Sequence, residues 1–452
     1  MDVRLFRDEG LGNGSYLVRT GDTRAVLIDP DRRFRRYLIA AEEAEVEVTG
    51  VLDTHLHADF VSGAHDLRAV TGAELHEPAE AGVSFPHRPV GPGERFDLDD
   101  VEVEVLASPG HAPEHVSYVF RRDGDDAPIL FSGGALIVGG AARTDLAGPE
   151  LTERMTEDAY ETLQHSFEDL PDETLLMPTH GAGSFCSTGT SGSEHTSTLG
   201  AERATNPLLA MTEEAFIHGW PATFPRTPAY FARMREMNWS GPRLRSDIVP
   251  PRPLDAKAFA AAASEPDAVV VDVRDKDAYA EGHGQGALAI PFRDSFPTWI
   301  GWLVPPEAKL LFVLDGVSPD EVVDACLLVG LERFAGYLDG GIEAWRAAGL
   351  PVRSLPGILS EDAVPWLETG AQPLDVREPD ELERGRVAGS VAIPLGDLPQ
   401  RTSELPGGRP LLVYCSSGMR STTAASILER AGVGPVVNLE GGYGAWREAG
   451  RD

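Results

Sequence analysis

The sequence predicts an α/β protein of several domains, on three observations. Hydrophobic runs of strand length fill residues 1 to about 130, separated by turn residues. The last 200 or so residues alternate strand-like and helical runs and repeat that pattern at a period near 100. No run of 18 apolar residues occurs, so no segment reads as a membrane-spanning helix.

Taken in order, SYLVRT and AVLIDP are expected to form a hairpin around Gly21-Asp22. VEVEVLASPG alternates from Val101, with its acidic residues on one face, and HVSYVF and PILFSG read as further strands. Residues 151–170 read as a helix, LLMPTH as a strand ending at His180, and the Gly/Ser/Thr-rich residues 181–200 as a loop. His55, His57, His111 and His180 each follow a hydrophobic run, and loops at strand ends are where layered α/β folds place ligands. His55 and His57 alternate in THLHADF, so both can face one point. Three imidazoles suit zinc, and two with a carboxylate suit iron. The bland alternative is a buried hydrogen-bond network of histidines.

The repeat is explicit. AVVVDVRDKDAYAEGHGQGALAIP, from Ala268, matches AQPLDVREPDELERGRVAGSVAIP, from Ala371. Asp272 and Asp375 are 103 apart, as are Pro291 and Pro394, and Trp345 and Trp446 are 101 apart. That period exceeds a solenoid repeat and implies two copies of one small parallel α/β domain. Proline-rich DIVPPRPLD (247–255) and LPVRSLPG (350–357) mark boundaries, giving domains 1–250, 251–354 and 355–452.

In the second copy the buried-strand pattern PLLVY runs into CSSGMRS and a helical stretch. Cys415 is therefore expected at a strand-to-helix turn, where Ser416, Ser417, Gly418, Met419 and Arg420 aim backbone N–H groups and one guanidinium at an anion. Such a cradle favours a reactive thiolate. In the first copy, Asp315 is expected at the cysteine position and Asp320 at the arginine position, so that copy keeps the fold and loses the chemistry. Cys326, in an apolar helical run, reads as core.

The formal charge of -33, from 72 acidic and 39 basic residues, argues against nucleic-acid and anionic-membrane partners. The opening MDVRLFRDEGLG lacks the apolar run of a signal peptide. Three cysteines, Cys186, Cys326 and Cys415, make no disulfide framework, and a cytoplasmic location is expected.

Residues from about 255 to 452 resemble two rhodanese domains, through Cys-x-x-Gly-x-Arg, Asp-Val-Arg at 375–377 and Gly-Gly-x-x-x-Trp at 441–446. The resemblance implies that Cys415 accepts sulfane sulfur as a persulfide and that Arg420 and the loop amides bind the anion. Related cysteine phosphatases place five residues between cysteine and arginine; here there are four. Residues 1 to about 250 resemble the metallo-β-lactamase fold, an αββα sandwich. Within it they are most similar to persulfide dioxygenases, through THLHADFVSG, SPGHAPEH, FSGGALIVGGAARTDL and MPTHGAGSFC. The whole chain thus resembles dioxygenase–rhodanese fusions whose first rhodanese copy lacks its cysteine.

That resemblance implies Fe(II) held by two histidines, here His55 and His111, and an aspartate, whose place Gly134 takes. It also places Phe60 at the last histidine of His-x-His-x-Asp-His. Both departures predict impaired oxygen chemistry, and restoring Gly134 to aspartate with Phe60 to histidine is expected to raise iron occupancy. His55, His57 and His111 could instead hold zinc, with Asp59 and His180 nearby. Cys186 is expected to guide a persulfide toward the metal. The expected partners are a thiosulfate or thiol-persulfide donor and a thiol or sulfite acceptor, in a homodimer or homotetramer. The competing readings are a fully active iron persulfide dioxygenase coupled to sulfurtransferase, a non-enzymatic persulfide-binding scaffold, and a zinc-dependent hydrolase.

Overall fold

The computed structural model describes residues 1–188 and 194–451. They divide into two compact units, Met1–Ile248 with Asp324–Leu331 and Val249–Val323 with Glu332–Asp452. Among the described residues no helix is long and apolar enough to cross a membrane.

The first unit is built on two six-stranded sheets. One runs in chain order through Val3–Asp8, Asn13–Arg19, Arg24–Ile28, Glu47–Leu52, Glu74–Pro78 and Arg88–Val90. The other is ordered Ser197–Thr198, Leu175–Pro178, Ile129–Gly133, Val116–Arg122, Val101–Ala107 and Arg95–Leu98. Tyr16, Val18 and Val26 from the first sheet and Val103, Tyr118 and Phe131 from the second form one buried cluster between them. Helices Arg35–Glu43 and Ala64–Thr71 supply Tyr37, Ala40 and Leu67 to a second cluster with Leu27 and Val51. Helices Thr152–Glu161 and Glu213–Gly219 supply Ala159 and Phe216 to a third, with Leu130 and Leu176. The layers are α, β, β, α, as expected.

The local patterns explain the strands. Asn13–Arg19 and Arg24–Ile28 pair antiparallel across the predicted turn. Val101, Val103 and Val105 are buried, whereas Glu102 and Glu104 alternate to the wetter face. There Glu104 pairs with Arg95 and Arg121. Two expectations need correction. The helix predicted over 151–170 is α only over Thr152–Glu161 and widens to a π turn at Thr162–Ser166, where the Thr162 hydroxyl donates to the Pro109 carbonyl. The loop predicted over 181–200 contains Ser187–Thr188, paired with Ala141–Ala142, and Ser197–Thr198, paired beside Leu175–Pro178. Residues 189–193 of that stretch lie outside the described residues.

The second unit holds two five-stranded sheets with the same topology and parallel pairing throughout. The repeated Asp-Val-Arg segment has a structural role in both. Arg274 forks onto Asp272 and donates to the Gly282 carbonyl. Arg377 does the same with Asp375 and Gly385. All four side chains are buried, so the pairs tie a strand end to the following turn.

Strand register revises one correspondence between the copies. Asp272 pairs with Val313 and Asp375 with Tyr414, so the residue matching Cys415 is Leu314, not Asp315. The discrepancy comes from loop length. The first copy spends residues 314–318 between strand and helix, the second residues 415–418. Asp320 and Arg420 still match as the second residues of their helices. Leucine offers no nucleophile, so the first copy is chemically silent at this position.

Candidate functional site

Cys415 follows strand Leu411–Tyr414 and precedes the 12-residue helix Met419–Arg430. Gly418 caps that helix at φ 94°, a left-handed conformation that glycine adopts without strain. This turn directs the Gly418 N–H at Cys415 Sγ, 3.2 Å away, and the Ser421 hydroxyl lies 3.7 Å from the same sulfur. The thiol is 1% exposed. Ser416 and Ser417 are exposed, and Met419 is half-buried at the first helical position.

Arg420 does not stand as an unpaired charge, contrary to the expectation for an open anion clamp. Its two terminal nitrogens donate to the Glu381 carboxylate at 2.6 and 2.7 Å, and Ser416 Oγ donates to the same group at 2.5 Å. Burial works against ionisation of Glu381, but Arg420 and Ser416 hold its carboxyl down to about 2. The sequence reading missed Glu381. The signal was available in the repeat: the Asp-Val-Arg alignment sets Ala278 opposite Glu381, so the copy without the arginine also lacks its carboxylate.

The first unit gathers His55, His57, His111 and His180, all buried. Hydrogen bonds fix the tautomers of His55, His111 and His180. The Thr54 hydroxyl donates to Asp29, so it accepts from His55 Nδ1, 2.8 Å away. His111 Nδ1 donates to the Arg143 carbonyl at 2.7 Å. Asn13 donates its amide to Asp59, which turns its oxygen toward His180 Nδ1 at 3.0 Å. Each Nδ1 therefore carries the proton and each Nε2 keeps its lone pair. His55 Nε2 and His180 Nε2 are 3.3 Å apart. Two nitrogens at about 2.0–2.1 Å from a tetrahedral zinc are separated by about 3.3–3.4 Å. His57 Nε2 lies 3.3 Å from Asp29, and its Nδ1 has no hydrogen-bond partner among the described residues. Burial and the neighbouring imidazoles hold His55 well below its usual pKa; burial, with His180 nearby, does the same for His111. The donors of His55, His57 and His180 lie within 4.8 Å of one another, as do those of His111, His180 and Cys186. The residues thus fit a metal ion, with outer partners that orient each ring.

Two replacements shape the cluster. The Phe60 ring stacks on His57, centroids 4.2 Å apart. A Cβ at Gly134 would lie 2.6 Å from the His111 ring and 2.9 Å from Ala142 Cβ. An aspartate at 134 would therefore require the His111 ring or Ala142 to shift. His115, also missed in the sequence, supports this arrangement. Its Nε2 accepts from the Gly134 N–H at 3.0 Å and its Nδ1 meets Ser108 Oγ at 2.9 Å. Burial pushes its pKa down to about 3, so it is a neutral spacer against His55. Cys186 is completely buried.

Comparison with known proteins places both units. Residues 9–180 match the model of the metallo-beta-lactamase superfamily, and residues 255–348 and 361–449 each match the rhodanese-like domain. A hydroxyacylglutathione hydrolase from Pseudomonas putida is 30% identical over 214 residues, which cover 44% of this chain and 81% of that protein. The chain belongs to the metallo-β-lactamase superfamily. Its second unit consists of two rhodanese-like domains. A hydroxyacylglutathione hydrolase from Xanthomonas euvesicatoria is 34% identical over 169 residues, 37% of this chain, and the chain spans only 60% of that protein. A solved metallo-beta-lactamase from Staphylococcus aureus aligns with a TM-score of 0.66 and 29% identity, covering 75% of this chain and 98% of its own.

Proposed function

We propose that the chain is a sulfurtransferase that carries sulfane sulfur on Cys415. The observation that carries this reading is the cysteine sulfur at a helix N-terminus, met by the Gly418 N–H at 3.2 Å. The Cys415 thiolate attacks the outer sulfur of thiosulfate or of a thiol persulfide. The donor's S–S bond breaks, and sulfite or thiolate leaves with the electron pair. The persulfide on Cys415 then yields its outer sulfur to an acceptor thiolate, sulfite or cyanide, which regenerates the cysteine thiolate. Loop N–H groups stabilise the charge at each transfer. Incubation with thiosulfate should add one sulfur atom to the peptide containing Cys415, read by mass spectrometry. A peptide that stays unmodified while sulfite release proceeds would overturn the assignment.

Glu381 is expected to tune the donor preference. It occupies the guanidinium that a dianionic donor would otherwise meet, in a pair whose side chains are each 21% exposed. Glu381→Gln keeps a hydrogen-bond acceptor for Arg420 and removes the competing charge. A part-buried pair open to solvent on one side is worth roughly 1 kcal/mol, so KM for thiosulfate should fall about fivefold. KM for a thiol persulfide, whose sulfur group carries at most one charge against two on thiosulfate, should fall less. Equal changes for both donors would mean that Glu381 acts only on loop order.

The metallo-β-lactamase-fold unit is proposed to contribute no fast oxygen chemistry, because Gly134 carries no carboxylate and the His111 ring fills its place. A bound metal would supply Lewis acidity there. The names of the similar hydrolases favour a hydrolytic reading only weakly, since Gly134 and Phe60 remove two side chains that a dinuclear site uses.

A further inference from the structure

We infer that Cys186 is a metal ligand, replacing the anionic donor absent at position 134, and that with His111 and His180 it forms a mixed sulfur–nitrogen site for a zinc-class divalent cation. This inference concerns the first unit and is independent of the chemistry assigned to Cys415.

Geometry brings the sulfur to the site. The ligand atoms of His111, His180 and Cys186 lie within 4.8 Å of one another, and His180 is also 3.3 Å from His55 Nε2 to Nε2. One residue fixes two of these ligands at once. The Arg143 N–H donates to the Cys186 carbonyl at 2.7 Å, while the Arg143 carbonyl accepts from His111 Nδ1 at 2.7 Å. Arg143 is itself buried and clamped by Asp145. The Ser184 hydroxyl accepts from the Cys186 N–H at 3.1 Å, and the short pairing of Ser187–Thr188 with Ala141–Ala142 holds the next turn of chain. A loop cysteine held on both sides in this way is a positioned group.

The surroundings point to a cation. His111 and His180 bring buried ring donors to Cys186, each with its Nδ1 proton committed elsewhere, and His55 Nε2 lies 3.3 Å from His180 Nε2. One further buried polar atom, His57 Nδ1, has no hydrogen-bond partner among the described residues. Convergent lone pairs repel one another unless a positive charge sits among them, and a buried acceptor without a donor is costly. A thiolate and two imidazoles supply three donors of the tetrahedral set that zinc prefers. The thiol proton leaves to solvent when the metal binds. The soft sulfur donor also disfavours the hard, carboxylate-completed site that suits Fe(II).

Cobalt(II) reports on such a site directly. The test uses the full-length chain with Cys326→Ala and Cys415→Ala, so that Cys186 is the only thiol, stripped with chelator and titrated with Co(II) without oxygen. A near-ultraviolet thiolate-to-cobalt band should rise to saturation at one metal per chain, together with the visible bands of a tetrahedral ion. Adding Cys186→Ser should abolish the near-ultraviolet band and weaken metal affinity by more than about tenfold. X-ray absorption of the zinc-loaded unmutated chain covers the case in which a variant does not fold. It should find a sulfur neighbour at about 2.3 Å beside imidazole nitrogens in one shell. A titration without the near-ultraviolet band, a band that survives Cys186→Ser, or a zinc shell of nitrogen and oxygen alone would overturn the inference.

Discussion

Cys415→Ala should abolish sulfur transfer, lowering the rate of thiocyanate formation from thiosulfate and cyanide by at least about 10³-fold. The size of the effect follows from covalent catalysis. The sulfur is carried on the side chain itself, and the loop amides have nothing to stabilise once the nucleophile is gone. Folding should survive. Alanine leaves the Gly418 N–H without its sulfur acceptor, a loss of about 1 kcal/mol, and the rest of the turn is built from backbone. An unchanged circular dichroism spectrum would separate lost chemistry from lost structure. Cys326→Ala is the matched control. Cys326 is fully buried, burial holds its thiol well above the ordinary range, and it lies in helix Pro319–Leu328 of the silent copy. Its loss should leave turnover intact. Residual transfer above one part in ten in Cys415→Ala would place the carrier elsewhere.

Gly134→Asp should destabilise the first unit without creating an iron site. The new Cβ would sit 2.6 Å from His111 Cδ2 and 2.9 Å from Ala142 Cβ. Neither neighbour is a flexible chain end. The His111 ring is tied to the Arg143 carbonyl at 2.7 Å, and Ala142 is tied by its own N–H to the Gly134 carbonyl at 2.9 Å. Overpacking of this kind costs about 1–3 kcal/mol. A carboxylate placed against buried imidazoles adds a desolvation cost unless a metal arrives with it. Denaturant unfolding of the full chain should therefore show a lower midpoint for the first transition, and anaerobic Fe(II) binding should stay at or below that of the unmutated protein. Stoichiometric iron with oxygen consumption in Gly134→Asp would mean that the His111 ring yields and that the missing carboxylate was the only defect.

Much of this was legible before any coordinates. The repeat spacing disclosed two copies of one domain because Asp272 and Asp375 anchor the same arginine fork, and Trp345 and Trp446 each pack against their own copy's core. The alternation of Val101 to Val105 disclosed a half-buried strand because side chains on a strand point to opposite faces. What stayed hidden was set by distance in sequence. Nothing near Arg420 announces that Glu381, 39 residues earlier, occupies its guanidinium. Nothing near His111 announces that Arg143 and Cys186 complete its setting, since a two-residue strand pair creates that contact. Loop insertions were the other blind spot. One extra residue after Val313 moved the matched position from Asp315 to Leu314, and only strand pairing settles such a register.

The most direct test of a sulfur carrier beside an oxygen-inactive partner unit is oxygen uptake. Protein purified without oxygen, loaded with Fe(II) and given glutathione persulfide is followed in an oxygen electrode, and the Cys415 peptide is weighed from the same sample. Sulfur on Cys415 with no oxygen consumed is the predicted result. Rapid uptake with sulfite release would contradict it and make the first unit a working dioxygenase.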